Sequence, residues 1–254
     1  SSFFEFEDAL TKARKFIVEG TDWIDIGGES SGPDSSEVPL EEELRRVIPL
    51  IKAVRSESDI WISVDTWKAE VARQSLHAGA DAVNDVSALR ADKEMAGVIA
   101  EYQVPVILIH SKDSTPRTTR NHTEYRDVIH TIISFFRDRL EYAESNGINK
   151  GQIVIDPGMG YFISGNAKLS FEVIRRISEL HEFDLPLLLG PSRKSFLAEV
   201  SSGRSLNFSE RDFPCALVSS IALWQGVSVL RFHEVALGRL LIETFEAMKK
   251  TSAT

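Results

Sequence analysis

The sequence has little of what a disulfide-stabilised, membrane-spanning or nucleic-acid-binding protein needs. Its 254 residues include one cysteine, Cys215, so an internal disulfide is excluded. The longest apolar runs, 104–109 and 185–189, are far shorter than the ~20 residues that span a bilayer. With 29 basic and 38 acidic residues the net charge is −9, which repels phosphate backbones and anionic lipid. We therefore expect neither a nucleic-acid nor a membrane partner.

The remaining composition is that of an ordinary globular protein. Hydrophobic residues make up 43% of the chain and charged residues 26%, enough for a full core. No interdomain linker, sequence repeat or low-complexity tract interrupts the pattern, so residues 1–254 are predicted to form a single domain. No signal peptide opens the sequence, which predicts a cytoplasmic location.

Short β-rich runs alternate with longer stretches of helical periodicity, the pattern of repeated βα units around a parallel sheet. Seven strands are predicted, at 23–26, 60–64, 82–84, 106–109, 153–155, 187–189 and 229–230. Their ends recur about every 34 residues, close to the ~31 residues per unit of an eightfold barrel. Extending that spacing backwards places one more strand before residue 1. The predicted fold class is therefore α/β, a (β/α)8 TIM barrel whose first strand is missing from the given chain.

Two loops are the strongest candidates to contact a substrate. Residues 27–39 are rich in Gly, Ser and Pro, and residues 111–122 are polar and basic. Both directly follow predicted strands, and in a barrel the loops after the strands build the active-site face.

Polar side chains stand at or next to most of the predicted strand ends. They are Asp25, Glu29, Asp65, Asn84, Asp85, His110, Asp156, Ser192, Arg193, Lys194, Arg231 and His233. A single strand-terminal carboxylate is more often a helix cap or a turn residue than a catalyst, and a lone histidine there is more often structural. Their joint occurrence on the reactive face of a barrel instead predicts one pocket.

The types of side chain suggest what the pocket binds. Asp65, Asn84 and Asp156 suit the edge of a fused nitrogen heterocycle, because a buried carboxylate can accept from a ring N–H and an exocyclic amine together. Four donors suited to phosphate oxygens come later in the chain, Arg193, Lys194, Arg231 and His233. The alternative for the last two is a salt bridge and a half-buried histidine.

In order and spacing, these segments resemble the motifs of the dihydropteroate synthases. The motifs are Asp25-Ile-Gly-Gly-Glu-Ser30, Ser63-Val-Asp-Thr66, Asn84-Asp-Val86, Asp156-Pro-Gly158, Ser192-Arg-Lys-Ser195 and Arg231-Phe-His233. The resemblance covers nearly the whole chain. The Ser-Arg-Lys segment favours the synthases over their pterin-binding methyltransferase relatives.

The resemblance implies an eightfold βα barrel and a transferase of folate biosynthesis. Such an enzyme joins 6-hydroxymethyl-7,8-dihydropterin diphosphate to 4-aminobenzoate and releases pyrophosphate. It implies Mg²⁺ as cofactor, although the asparagine that binds the ion in the family would lie upstream of Ser1. It also implies a homodimer formed through the late helices. The predicted last helix, 235–248, carries more apolar residues than one barrel-facing stripe requires, for which a wide buried face is the alternative.

By position, the resemblance also implies the role of each site residue. The residues expected to hold the pterin are Asp65, Asn84, Asp156, Phe162, Lys194 and Arg231. Those expected to receive the diphosphate are Ser31, Arg231 and His233. Those expected near the aminobenzoate are Ser31, Pro33, Phe162, Lys194 and Ser195. The residues expected to carry the catalytic step are Asp156, Lys194 and Arg231.

The sequence departs from the family pattern at two sites besides the first strand. Gly32 stands where the family has an arginine that contacts pyrophosphate, and Asp34 adds negative charge nearby. Arg117 and Arg120 are candidates to replace that arginine. Residues 159–163, Met-Gly-Tyr-Phe-Ile, replace the usual Gly-Phe-Gly-Lys run.

Two other functions remain open on the sequence alone. Gly32 motivates a non-catalytic pterin-binding homologue that stores, senses or presents its ligand. A methyltransferase acting on a folate-bound methyl group is the other alternative, and it would require a corrinoid partner.

Overall fold

Parallel strands and helices alternate along the chain, which a computed structural model describes over residues 2–200 and 204–251. The strands are β1 (Trp23–Gly27), β2 (Trp61–Asp65), β3 (Ala82–Asp85), β4 (Val106–Ile109), β5 (Ile153–Asp156), β6 (Leu188–Leu189) and β7 (Val229–Leu230). The helices are α1 (Ser2–Val18), α2 (Leu40–Glu57), α3 (Ala69–Ala78), α4 (Met95–Tyr102), α5 (Val128–Ser145), α6 (Ala167–Arg176), α7 (Asp212–Trp224) and α8 (Val235–Thr251). All seven predicted strands are confirmed, with ends that agree to within one residue.

The strands follow one another around the sheet in chain order, and every pair is parallel. β1 to β5 form one continuous sheet, and β6 pairs with β7 in a second. A parallel bridge between Ile155 and Leu187 connects the two sheets. The result is an arc of seven βα strands whose carboxyl ends lie on one face, as the barrel prediction requires.

A gap separates the two ends of this arc. Within the described residues, no backbone pairing joins β7 to β1. The gap measures about 1160 Å³ including the open solvent at its mouth, and it is lined by residues of both strands and of the helices beside them, α1 and α8. It lies where the remaining strand of an eightfold barrel would close the sheet, in agreement with the predicted barrel.

Alternation along β1 separates the two faces of the sheet. Ile24 and Ile26 are buried in the main core between sheet and helices. The residues between them therefore face the barrel interior, because successive side chains of a strand point to opposite faces. The interior has its own apolar cluster, formed by Trp67, Val86, Ile107, Ile109, Phe162 and Leu188. This apolar cluster forms the floor of the barrel interior, and the polar residues at the strand ends lie above it.

Local signals fix where the helices begin and end. Glu41, Glu42 and Glu43 occupy the first turn of α2, where carboxylates suit the positive end of the helix dipole. α3 ends at Gly79, whose φ of +111° reverses the chain toward β3. Among the described residues, no helix combines the length and apolarity needed to cross a membrane.

Candidate functional site

A cavity opens at the carboxyl ends of the strands, with about 450 Å³ of empty space including its mouth. Its polar and charged lining residues are Ser31, Asp65, Asn84, Asp156, Lys194 and Arg231. Its walls are mostly apolar, formed by Val86, Ile109, Met159, Phe162 and Leu188 together with Gly158 and Gly190. All six residues predicted to hold a pterin thus line one cavity.

Strand register explains why these side chains meet. Asp65 at the end of β2 pairs in register with Asn84 of β3. Ile109 at the end of β4 pairs with Asp156 of β5. The polar residues therefore stand at one level of the sheet although the sequence separates them by tens of residues.

Two carboxylates form the acceptor side of the cavity, Asp156, which is buried, and Asp65, which is partly buried. Asp156 is 7% exposed, and its Oδ1 accepts a hydrogen bond from the Gly158 N–H at 2.8 Å. Burial raises the pKa of Asp156 to about 6, while that N–H and the cations Lys194 and Arg231 act in the opposite direction. Burial also raises the pKa of Asp65 well above its usual range, and the nearby Asp25 carboxylate adds to the effect.

Gly158 is required by the close approach of two loops. Its φ is +71°, and a Cβ at this position would collide with the carbonyl oxygen of His110. The glycine therefore allows the turn after β5 to pack against the end of β4 and to place its N–H on Asp156.

Lys194 supplies the donor side of the cavity. Its Nζ lies 4.6 Å from the centroid of the Phe162 ring, a cation–π contact. Burial and the Arg231 guanidinium lower the pKa of Lys194 to about 8, while the carboxylates of Asp156 and Asp65 oppose that shift. The ammonium is therefore charged near neutral pH and becomes neutral in mildly alkaline solution.

Arg231 lies between two carboxylates. Its Nη2 is 3.2 Å from Asp25 Oδ2 and 3.8 Å from Asp65 Oδ2. Asp25 also accepts hydrogen bonds from Ser63 Oγ at 2.5 Å and from Asn84 Nδ2 at 3.0 Å. The sequence analysis named Asp25 among the polar residues at the strand ends but predicted no function for it.

The two candidate substrate loops contact each other rather than standing apart. Arg117 forms an ion pair with the buried Glu29 and lies over the Trp67 ring, 5.5 Å from its centroid. The Thr118 N–H and hydroxyl both donate to the Ser31 carbonyl, at 3.0 and 3.1 Å. We call this set of contacts the loop clasp.

Arg117 and Arg120 are the candidates to replace the arginine absent at position 32, and both have carboxylate partners. Arg117 is engaged with Glu29, and Arg120 pairs with Asp34 at the surface. Neither arginine lines the cavity. Both are paired with carboxylates of the first loop, and the suggestion that one of them replaces the missing arginine stays a prediction.

A buried charge cluster supports the base of the first loop. Lys68 Nζ donates to Glu29 Oε2 at 2.7 Å and to Glu43 Oε2 at 2.6 Å, and Thr66 donates to Glu43 at 2.8 Å. Sequence reasoning missed this cluster. The available signal was the position of Glu43, four residues before Val47 and therefore on the apolar face of α2.

Three predicted residues lie outside the cavity lining. His233 lines the gap between β7 and β1, and its Nδ1 is 3.0 Å from Ser192 Oγ. Partial burial and the cations Arg231 and Arg193 lower its pKa to about 4. Pro33 and Ser195 are both partly buried, but neither is among the lining residues.

Other strand-end residues have structural contacts that explain them. Asp85 is fully buried and accepts from the backbone N–H groups of Ser87 and Leu89, each at 2.8 Å. His110 is buried, with Nδ1 3.2 Å from the Pro157 carbonyl oxygen, which confirms the structural interpretation. Arg193 pairs with Glu234 and does not line the cavity.

A resident metal site does not emerge from the residues the structure describes. They contain no group of three His, Cys, Asp or Glu side chains placed to hold an ion. The carboxylates nearest the gap, Asp25 and Asp65, already face the Arg231 guanidinium. The donor set therefore does not fit an ion held by protein ligands alone.

Nearly the whole chain is similar to known proteins. The sequence model of the family described as pterin binding enzymes matches residues 1–233. The dihydropteroate synthase of Synechocystis is 38% identical over 233 residues, which are 92% of this chain and 79% of that protein. The solved Xanthomonas albilineans dihydropteroate synthase with 4-aminobenzoic acid superposes with a TM-score of 0.87 and 34% identity, covering 98% of this chain and 86% of that one. The same enzyme in complex with 7,8-dihydropteroate gives a TM-score of 0.84 and 32% identity, with equal coverage.

Proposed function

Because the chain belongs to the dihydropteroate synthase family of pterin-binding enzymes, we propose that it condenses 6-hydroxymethyl-7,8-dihydropterin diphosphate with 4-aminobenzoate. The products are 7,8-dihydropteroate and pyrophosphate, and the enzyme is a transferase. One observation carries the proposal, a cavity that combines a buried and a partly buried carboxylate, a buried amide and a lysine between apolar walls. The solved relatives that hold 4-aminobenzoic acid and 7,8-dihydropteroate support it.

The cavity suits a pterin because its polar groups match the edge of that ring. The Asp156 carboxylate has one oxygen on the Gly158 N–H and keeps acceptor capacity for a ring N–H and an exocyclic amine. Asn84 and Asp65 offer further acceptors, and Lys194 donates to a carbonyl or ring nitrogen. Phe162 and the other apolar walls contact the faces of the ring.

The diphosphate would lie toward Arg231, Ser31 and His233. Arg231 lines both the cavity and the adjoining gap, so it stands at the boundary between the pterin and its leaving group. The aminobenzoate would enter beside Ser31, Pro33, Phe162, Lys194 and Ser195. Pro33 and Ser195 would then contact it from the rim rather than from the cavity itself.

The reaction breaks the C–O bond to the diphosphate and forms a C–N bond to the arylamine. The bonding pair leaves with pyrophosphate, and the resulting pterin-methyl cation is stabilised by the Asp156 carboxylate. Arg231 and Lys194 stabilise the negative charge that develops on the leaving group. The arylamine is neutral at pH 7, so it attacks with its own lone pair and then releases its proton to solvent.

Magnesium would accompany the substrate rather than reside in the protein. Mg²⁺ keeps several waters and binds substrate phosphates with few protein ligands, which agrees with the sparse donor set described above. When bound to the diphosphate it would neutralise charge on the leaving group. Calorimetry should then detect no Mg²⁺ binding to the protein alone, although turnover requires the ion, and tight binding to the free protein would contradict this assignment.

A non-catalytic pterin-binding protein is the second candidate. Gly32 leaves the first loop without its arginine, and the two nearby arginines, Arg117 and Arg120, are paired with Glu29 and Asp34. A methyltransferase is disfavoured, because the relatives compared above are synthases.

Pyrophosphate release separates the two candidates. The protein is incubated with dihydropterin diphosphate, Mg²⁺ and 4-aminobenzoate, in parallel with Asp156→Asn. We expect release that depends on the arylamine and is almost absent in the variant. Pterin binding without pyrophosphate release would favour the non-catalytic protein. Absence of both pterin binding and pyrophosphate release would refute a pterin site.

A homodimer in the cytoplasm completes the proposal. One stripe of α7 exposes four large apolar side chains, Phe213, Leu217, Ile221 and Trp224, at 79, 55, 45 and 65%. On α8, Leu240 and Met248 are exposed as well. A contiguous apolar surface of this kind suits a second copy of the chain. Light scattering should therefore show a dimer that Leu217→Glu converts to a monomer, and an unchanged mass would refute this interface.

A further inference from the structure

Asp25 is a carboxylate in the middle of β1 for which neither the motifs nor the proposed substrate contacts give a function. Its neighbours Ile24 and Ile26 point into the core against the helices. Asp25 therefore points into the barrel interior, where its side chain is only 16% exposed. A largely desolvated carboxylate is costly unless its oxygens are satisfied.

Three side chains from three other strand regions satisfy those oxygens. Ser63 Oγ donates to Oδ1 at 2.5 Å, and Asn84 Nδ2 donates to Oδ2 at 3.0 Å. Arg231 Nη2 lies 3.2 Å from the same Oδ2. Asp25 lies outside the cavity lining, but two of its partners, Asn84 and Arg231, belong to that lining.

The contact with Asn84 determines which way the amide faces. An ionised carboxylate only accepts hydrogen bonds, so the amide must turn its NH₂ group toward Asp25. The carbonyl oxygen is then at the opposite end of the amide. Asn84 Oδ1 is buried and has no hydrogen-bond partner among the residues the structure describes. A buried acceptor without a partner is unfavourable, which points to a ligand N–H as its partner.

We propose that Asp25 is a positioning residue that presents the Asn84 carbonyl oxygen to the pterin and holds Arg231 at the boundary with the diphosphate. The inference rests on the proposed function, because the pterin supplies the missing N–H donor. Without Asp25 the amide is free to turn, and it then offers a donor where the ligand needs an acceptor. The guanidinium also loses the nearer of its two carboxylate partners.

The first experiment measures the affinity of 6-hydroxymethylpterin for Asp25→Ala by titration calorimetry. We expect affinity to fall about ten- to hundredfold, the effect of mispairing a buried polar group. Ser63→Ala is the matched control, because it removes a hydrogen bond to the same carboxylate and leaves Asn84 and Arg231 in place. Its affinity should stay within about threefold of wild type, and thermal unfolding reports whether each variant folds.

A swap of the two side chains tests orientation directly. Asn84→Asp alone places two carboxylates against each other and should lose affinity. The double variant Asp25→Asn, Asn84→Asp restores one donor and one acceptor across the contact and again turns a carboxyl oxygen to the cavity. We expect it to bind at least about tenfold more tightly than Asn84→Asp. A role confined to stability predicts no such rescue.

The outcomes separate this inference from the proposed function. Unchanged affinity in Asp25→Ala, or no rescue in the double variant, overturns the positioning role even when the wild type releases pyrophosphate. Wild-type protein that binds the pterin without releasing pyrophosphate overturns the synthase activity and leaves the affinity comparison decisive for Asp25. If Asp25→Ala does not fold, the swap alone decides. If the wild type does not bind the pterin, both proposals fail.

Discussion

The ammonium of Lys194 lies over the ring of Phe162, with Nζ 4.6 Å from the ring centroid. The contact joins the loop after β6 to the loop after β5, so the donor of the cavity is held by one of its apolar walls. Phe162 is 8% exposed and also belongs to the apolar floor of the barrel interior. The Phe162 ring thus packs in the apolar interior of the barrel and also contacts the Lys194 ammonium in the cavity.

The Phe162→Leu substitution tests this contact. Leucine keeps most of the apolar volume but removes the ring face, so Lys194 loses its cation–π partner. We expect affinity for 6-hydroxymethylpterin to fall roughly three- to thirtyfold, as follows from a contact of ~0.5–2 kcal/mol. Phe171→Leu is the matched control, since that ring packs on Phe196 away from the cavity. Equal losses in both variants would contradict a specific role for Phe162.

Pterin affinity should follow a bell-shaped dependence on pH. The pKa of Asp156 is raised to about 6, so below that pH its carboxyl group becomes neutral and accepts poorly. The pKa of Lys194 is lowered to about 8, so above that pH the donor loses its charge. Affinity should therefore be greatest between these values. The acid limb also contains Asp65, whose pKa burial raises, so Asp156→Asn should weaken binding without abolishing that limb.

Lys194→Arg isolates the alkaline limb. A guanidinium remains charged at every pH at which the protein is folded. The variant should lose the decline above pH about 8, whatever its affinity at neutral pH. Calorimetric titrations from pH 5 to 10 measure both limbs, and an unchanged alkaline decline would show that another group causes it.

The pH dependence of folding stability has the opposite sign to that of a salt-bridged acid. The pKa of the Asp156 carboxyl is raised in the folded protein, so its contribution to stability falls as the pH rises through about 4 to 6.

His233 should gain a proton when an anion binds beside it. Partial burial and nearby cations lower its pKa to about 4, so the imidazole is neutral at pH 7. Pyrophosphate would offset the cationic charge and raise that pKa, which imidazole resonances in an NMR pH titration can follow. His110 is the internal control, because burial lowers its pKa to about 4 as well and it stands away from the gap. Binding of pyrophosphate without any change at His233 would exclude it from the diphosphate site.

The loop clasp should contribute measurably to stability. Arg117→Ala removes a cationic partner from Glu29, whose side chain is 1% exposed. We expect the free energy of unfolding to fall by roughly 1–3 kcal/mol, the range for hydrogen bonds to buried charged groups. Lys68 still pairs with Glu29, which keeps the loss at the lower end of that range. Arg120→Ala breaks the surface pair with Asp34 and the exposed contact with Tyr161, and it should cause no measurable change in urea unfolding. Equal losses in both variants would contradict burial as the reason.

The fold was largely predictable because its signals are local. β4 is a run of four buried apolar residues, and β1 alternates between buried isoleucines and interior-facing residues. Each βα unit carries such a signal in a stretch of some 34 residues. The barrel rule then places strand ends on one face, which correctly brought Asp65, Asn84, Asp156, Lys194 and Arg231 to a single cavity.

The contacts between loops were not predictable in the same way. Arg117 and Arg120 looked available for a leaving group because the sequence shows their charge but not their partners. Glu29 and Asp34, more than eighty residues earlier, take up both of them. His233, Pro33 and Ser195 follow the expected motifs, yet they lie outside the cavity lining.

The sequence by itself determined the strands, their order around the sheet and the polar residues that end them, because these depend on periodicity and on a general rule of parallel sheets. Only the tertiary structure decided that Asp25 faces Asn84 and Arg231. Those residues lie 59 and 206 positions further along the chain. Their contact exists because the sheet curves and brings β7 and β3 to opposite sides of β1. No local sequence pattern predicts which residues of distant strands this curvature brings into contact.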